Sequence, residues 1–219
     1  MGEEIDISLM SYDEWLAFVF DHSVPKDRLN CSNWYWEFRF DVSKSSQLVE
    51  HVTRLCNGFP QLIDRYTLRQ IDQGIWFILG PCIDFGQYLR DEQISLEARR
   101  SCIHSMYKVF ADFVSKSEVE EMETCFWMWW DILLEGFYFS DLGQGYEDAQ
   151  EIENITLETL SMILRLDDLR TQEYALHGLG HLKNKRAREI VAQYIEEHGG
   201  NWTQEGREWL ETCRNGTVM

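Results

Sequence analysis

His177 and His181 stand four residues apart in a stretch with helical patterning, so one helix face can present both rings. That step suits a shared metal ion. A zincin helix, however, reads His-Glu-x-x-His with the Glu as general base, and here Gly178 follows His177. Two histidines alone do not close a metal site. The pair therefore reads as surface or hydrogen-bonded helix histidines, and neither a metal nor a cofactor is expected. Asp131 and Glu135 repeat the four-residue step within the most apolar stretch, 126–139. Buried carboxylates carry raised pKa values unless they are paired. This pair reads as partners for an arginine on a neighbouring helix, as a solvated stripe, or as part of a partner-binding surface. An acid/base dyad would be its catalytic form.

Lys183, Lys185, Arg186 and Arg188 make the compact basic cluster of the chain, at the start of a helix. Backbone amides there favour an anion, so Lys183, Lys185 and Arg186 are candidate phosphate or acidic-peptide ligands, against the plainer reading of a solvated turn. Trp34, Tyr35 and Trp36 are candidate interface anchors, since aromatic side chains dominate binding hot spots; core packing is the competing role. No P-loop, Rossmann glycine run, nucleophile elbow or Ser/Cys–His motif occurs. Cys31, Cys56, Cys82, Cys102, Cys125 and Cys213 include no CxxC pair. They read as reduced core residues of a cytoplasmic protein.

Helices must position these groups. Ser11-Tyr-Asp-Glu14 is a capping box opening a helix through Trp15, Phe18 and Val19 toward His22. Residues 33–41 alternate Trp34, Trp36, Phe38 and Phe40 with Tyr35, Glu37, Arg39 and Asp41. This is strand period without a visible partner strand, so an extended segment packed on helices is expected. Helical spacing resumes at Ser43 and stops at Asn57-Gly58. It restarts at Pro60, runs on toward Leu79, and ends at Gly80-Pro81. Ser95 caps a long helix through Val114. Ser117-x-x-Glu120 opens a helix over 119–139, apolar on nearly every side, which other helices must surround. After a turn at Leu142–Gly145 come helices at 147–165, 170–182, 186–198 and 203–213. The reading is all-α, with about nine helices and no convincing sheet.

The clearest repeat is Thr171-Gln-Glu-Tyr-Ala-Leu-His-Gly-Leu-Gly-His-Leu182 followed by Lys183-Asn-Lys-Arg-Ala-Arg-Glu-Ile-Val-Ala-Gln-Tyr-Ile195. It resembles a HEAT-like repeat of the short bacterial type. Ala175, Leu176, Leu179, Gly180 and Leu182 match the first helix of that pattern, and Arg186, Ala187, Ile190, Val191, Tyr194 and Ile195 the second. The usual Asp-Pro of the turn is Lys183-Asn184-Lys185. The resemblance implies a curved stack of antiparallel helix pairs, an α-solenoid, clearest over 147–213. HEAT-like di-iron hydroxylases place His-Glu pairs at repeat starts; the matching dipeptide here is Gln172-Glu173. The whole chain, 1–219, is expected to form one helical domain, with the aromatic-rich segment 1–42 packed on it.

Composition narrows the function classes. Lys plus Arg is 20 and Asp plus Glu is 38, a formal net charge of −18. Phosphate contacts need clustered cations, so a nucleic-acid partner is not expected. Met1-Gly-Glu-Glu-Ile-Asp6 has neither the basic start nor the apolar stretch of a secretory signal. Residues 126–139 are too short and too charged to span a bilayer, so no membrane role is expected. What remains is a non-enzymatic protein-binding module with an acidic surface, an immunity-type inhibitor or adaptor for a basic partner. Its binding residues would be Trp34, Tyr35, Trp36, Asp131 and Glu135. The alternative is a metal- or carboxylate-dependent enzyme with an all-helical pocket.

Overall fold

Ser11 opens the first helix as its capping box requires: its Oγ accepts the Glu14 amide at 3.4 Å, and Glu14 Oε2 accepts the Ser11 amide at 2.9 Å. The computed structural model describes residues 4–24, 34–117, 122–135 and 148–218, without the side chains at 123 and 135. Pro25, Cys31, the Glu120 half of the Ser117-x-x-Glu120 motif and the turn at 142–145 lie outside these residues. Of the described residues, 76% are helical and 3% are strand.

The helices are α1 (Tyr12–Phe20), α2 (Ser45–Asn57), α3 (Leu68–Leu79), α4 (Leu96–Lys108), α5 (Glu123–Trp127), α6 (Trp129–Glu135), α7 (Ala149–Leu164), α8 (Leu169–Leu182), α9 (Lys185–His198) and α10 (Gln204–Asn215). Three differences from the sequence reading have local causes. Pro60 starts only a 3₁₀ segment, Phe59–Asp64, and α3 begins afresh behind a second capping box, Thr67 with Gln70. α4 ends in a π turn, Val109–Phe113, which shifts the register of its apolar face. The long apolar stretch is interrupted at Met128, between α5 and α6.

The 33–41 alternation is also resolved differently. Trp34–Glu37 is a 3₁₀ turn, and only Arg39–Asp41 (β2) is extended. It pairs in parallel with Glu4–Asp6 (β1), residue for residue. The turn sends Tyr35 into the core at 4% exposure and leaves Trp36 55% exposed, the reverse of what alternation implies. Three residues of β1 are too few to show a period, so the pairing left no local trace.

Buried side chains from Ile7 to Val218 form one hydrophobic core. α2 packs on α4, α4 on α7 and α7 on α8, while α8 also meets α5, α6, α9 and α10. Arg99, 1% exposed, braces α4: its Nε donates to the Ile94 carbonyl at 2.9 Å and its guanidinium pairs with Asp148 at the start of α7. Cys56, Cys82, Cys102, Cys125 and Cys213 are free thiols, all buried but Cys82. Burial pushes Cys102 and Cys213 up to about 12, so they act as small apolar groups.

The approach of α6 and α7 to α8 depends on Gly178. A Cβ there would lie 2.7 Å from Trp130 Cβ and 3.0 Å from Leu160 Cδ2. Gly178→Ala should therefore destabilise: overpacking costs about 1–3 kcal/mol, more than the ~1 kcal/mol gained in helix propensity. Urea unfolding should show a lower midpoint. Gly200→Ala, with nothing within 4 Å of the added methyl, should stay within about 0.5 kcal/mol.

Candidate functional site

Two regions gather side chains with functional potential. The first lies where α6 crosses α8. Both histidines of α8 are buried, His177 at 1% and His181 at 8% exposure, so neither is the surface residue that spacing allowed; both are hydrogen-bonded, as the other reading expected. His177 Nδ1 lies 3.1 Å from the Trp127 carbonyl. A carbonyl only accepts, so this nitrogen carries the hydrogen. His181 Nδ1 lies 3.0 Å from Asp131 Oδ1 and donates in the same sense. The two Nε2 atoms face each other at 3.2 Å. Trp127 stacks on His177, with ring centroids 4.2 Å apart, and extends the row to Trp209 at 5.8 Å and on to Trp202.

Asp131 thus pairs with a histidine rather than with an arginine. Its side chain is 27% exposed and forms the wet end of the chain Asp131–His181–His177. Burial drives the His181 imidazolium down; Asp131 pulls it up, and Lys183 pushes it down again, with the net direction downward. Neutral imidazole is therefore the favoured form. Glu135 closes α6, and its side chain lies outside the described residues. Among the described residues, no group of three or more His, Cys, Asp or Glu could hold a metal ion. Sequence spacing suggested the two histidines; nothing local linked them to Asp131, fifty positions away from His181.

The basic cluster is tied into neighbouring structure. Lys183 adopts the left-handed conformation that ends α8. Asn184 caps α9, accepting the Ala187 amide at 2.7 Å. Lys185 pairs with Glu189 at 3.6 Å, and Arg186 donates to Asn154 Oδ1 at 2.7 Å.

The second region is the aromatic N-terminal face. Phe77 of α3 is fully buried and receives Phe40 at 4.8 Å, Trp34 at 5.0 Å and Tyr35 at 5.6 Å. His22 stacks on Trp34 at 3.7 Å and is fixed by a 2.6 Å hydrogen bond to the Phe18 carbonyl. Tyr35 is thus a core residue, Trp34 a half-buried support and Trp36 an outward-facing ring. Phe38, 42% exposed, and Leu9, 60% exposed, were not singled out by sequence reasoning. Leu9, Met10, Ala17 and Phe18 line one shallow open depression edged by Glu14. Exposed Glu4, Glu37 and Asp41 border the same segment, with Arg39 among them.

Comparison with protein-family models, with curated proteins and with solved structures finds no match.

Asp6 ties β1 to the turn that follows it and to the connection between β2 and α2. Its carboxylate accepts from the Ser8 amide at 3.0 Å, from the Ser8 hydroxyl at 2.6 Å, and from Ser43. Burial would raise its pKa, but the hydrogen bonds from Ser43 and Ser8 outweigh this and hold it below the usual range. A carboxyl depressed on folding stabilises above its unfolded pKa, and that contribution is lost as pH falls through the folded value. Acidification below about pH 4 should therefore loosen this segment. Asp6→Asn should flatten the acid limb of a stability-versus-pH curve; an unchanged limb would remove Asp6 from the account.

Proposed function

We propose that this chain is a non-enzymatic protein-binding module, of the immunity-inhibitor or adaptor kind, whose acidic surface receives a basic protein. The observation that carries the reading is the aromatic N-terminal face. Trp36 and Phe38 stand 55% and 42% exposed in the segment that also carries exposed Glu37 and Asp41. β2 pairs this segment with β1 and its exposed Glu4; Leu9, 60% exposed, follows β1 and lines the depression edged by Glu14. Clustered exposed apolar groups with a polar rim mark interaction sites. Such a face is matched by a partner with an apolar centre and a basic border. The formal net charge of −18 adds long-range attraction for a basic protein. Stacking of helix pairs in the HEAT-like manner, clearest at α8 and α9, is the architecture proposed to display this surface. Asp131 is assigned to the buried histidine chain rather than to the interface.

Immobilised protein should retain a basic protein from native lysate at low salt and release it at high salt, because rim charges act mainly on association and are screened. Trp36→Ala or Phe38→Ala should weaken the purified pair by about 2 kcal/mol or more if they are hot spots, roughly thirtyfold in Kd. Retention that is indifferent to both salt and these substitutions would defeat the reading.

A further inference from the structure

We propose that the cleft between α7 and α9 binds a free α-amino acid with a large apolar side chain. This goes beyond the binding-module reading and stands on different residues. The last turn of α7 and the turn leading into α8 form one wall, and one face of α9 forms the other. The cleft holds about 460 Å³, within the roughly 300–1,000 Å³ of small-molecule sites.

Its floor is held by internal hydrogen bonds. Tyr194, 5% exposed, is the buried residue of the lining. Its hydroxyl donates to Gln172 Oε1 at 2.7 Å, and Gln172 Nε2 donates to the Leu166 carbonyl at 2.7 Å. His198 packs on the Tyr194 ring, with centroids 4.8 Å apart. Leu164, Leu166 and Ile190 supply an apolar stretch of wall.

Opposite charges meet in the same lining. Arg165 and Asp167 are exposed and stand two residues apart where α7 gives way to α8. Among the described residues, neither side chain has a hydrogen-bond or ion-pair partner. Glu197 adds a second carboxylate from α9, steadied by Gln193 Nε2 at 2.8 Å.

These charges select the class of ligand. A guanidinium takes a carboxylate in two parallel hydrogen bonds, but Asp167 and Glu197 repel a simple anion. A simple cation meets Arg165 instead. A molecule with ammonium and carboxylate on one carbon answers both signs, its carboxylate on Arg165 and its ammonium on Asp167. Its side chain then lies on the apolar wall, where removal from water adds to binding.

The test is calorimetric titration of the full chain with L-phenylalanine and L-leucine at neutral pH. One equivalent of each should bind. Phenylpropionate, which lacks the ammonium, and phenethylamine, which lacks the carboxylate, should each bind about tenfold more weakly or worse, as expected when one hydrogen-bonded charge is lost. Arg165→Gln and Asp167→Asn should each weaken L-phenylalanine by a similar factor. Both replace exposed side chains, so the fold is kept. Lys116→Gln, outside the cleft, should leave binding unchanged. Amide nitrogen-15 shifts on adding L-phenylalanine should concentrate at 161–172 and 190–198.

No saturable binding of either amino acid overturns the proposal. So does phenylpropionate or phenethylamine binding as tightly as L-phenylalanine, binding indifferent to both cleft substitutions, or shifts that fall elsewhere. The readout is a small molecule on the isolated chain, so it is independent of whether a basic protein docks on the aromatic face.

Discussion

Helix α8 has almost no solvent face, and the rest of the C-terminal half is arranged around that constraint. From Tyr174 to Leu182 every residue is buried. Gly178 lets Trp130 and Leu160 approach to distances a methyl group would block, and Gly180 does the same for Val218 and Cys213. A helix enclosed this way must satisfy each polar side chain internally, since an unmet buried hydrogen bond costs about 1–3 kcal/mol. Thr171 meets that demand locally by donating to Asp168. His177 and His181 cannot, so they reach to the end of α5 and into α6. The Asp131–His181–His177 chain is thus a consequence of burying α8 on all sides.

The N-terminal face follows a different logic. Its order comes from one buried ring, Phe77, against which Phe18, Trp34, Tyr35 and Phe40 close. The short β1–β2 pairing and the Asp6 hydrogen bonds hold the segment in place. With so much of the aromatic surface spent on Phe77, Trp36 and Phe38 are the rings left facing outward. The two regions therefore differ in kind: one leaves aromatic rings exposed, and the other encloses a polar chain.

Local signals were legible in proportion to how little they depended on distant partners. Ser11 with Glu14, the stop at Gly80-Pro81, the Ser95 cap and the four C-terminal helices follow from capping and periodicity within a few residues. Pro60 misled because proline is tolerated at the start of a 3₁₀ turn as readily as at the start of an α-helix, and the Thr67–Gln70 box went unread. The alternation at 33–41 misled because burial on Phe77 outweighed period. His177 and His181 were visible as a spaced pair. Their burial was not, because spacing places rings on a common face without saying what covers that face.

The sequence by itself determined an all-helical chain, the positions of most helix starts and stops, the strongly acidic charge, and the two spacings that carry titratable pairs. All of these are set by residues within one or two turns of each other, or by simple counting. Only the tertiary structure decided that Asp131 pairs with His181. It also decided that Tyr35 turns inward while Trp36 turns out, and that β1 has β2 as its partner. Those outcomes depend on which surfaces exclude water together, a property of the packed molecule that no local run of residues contains.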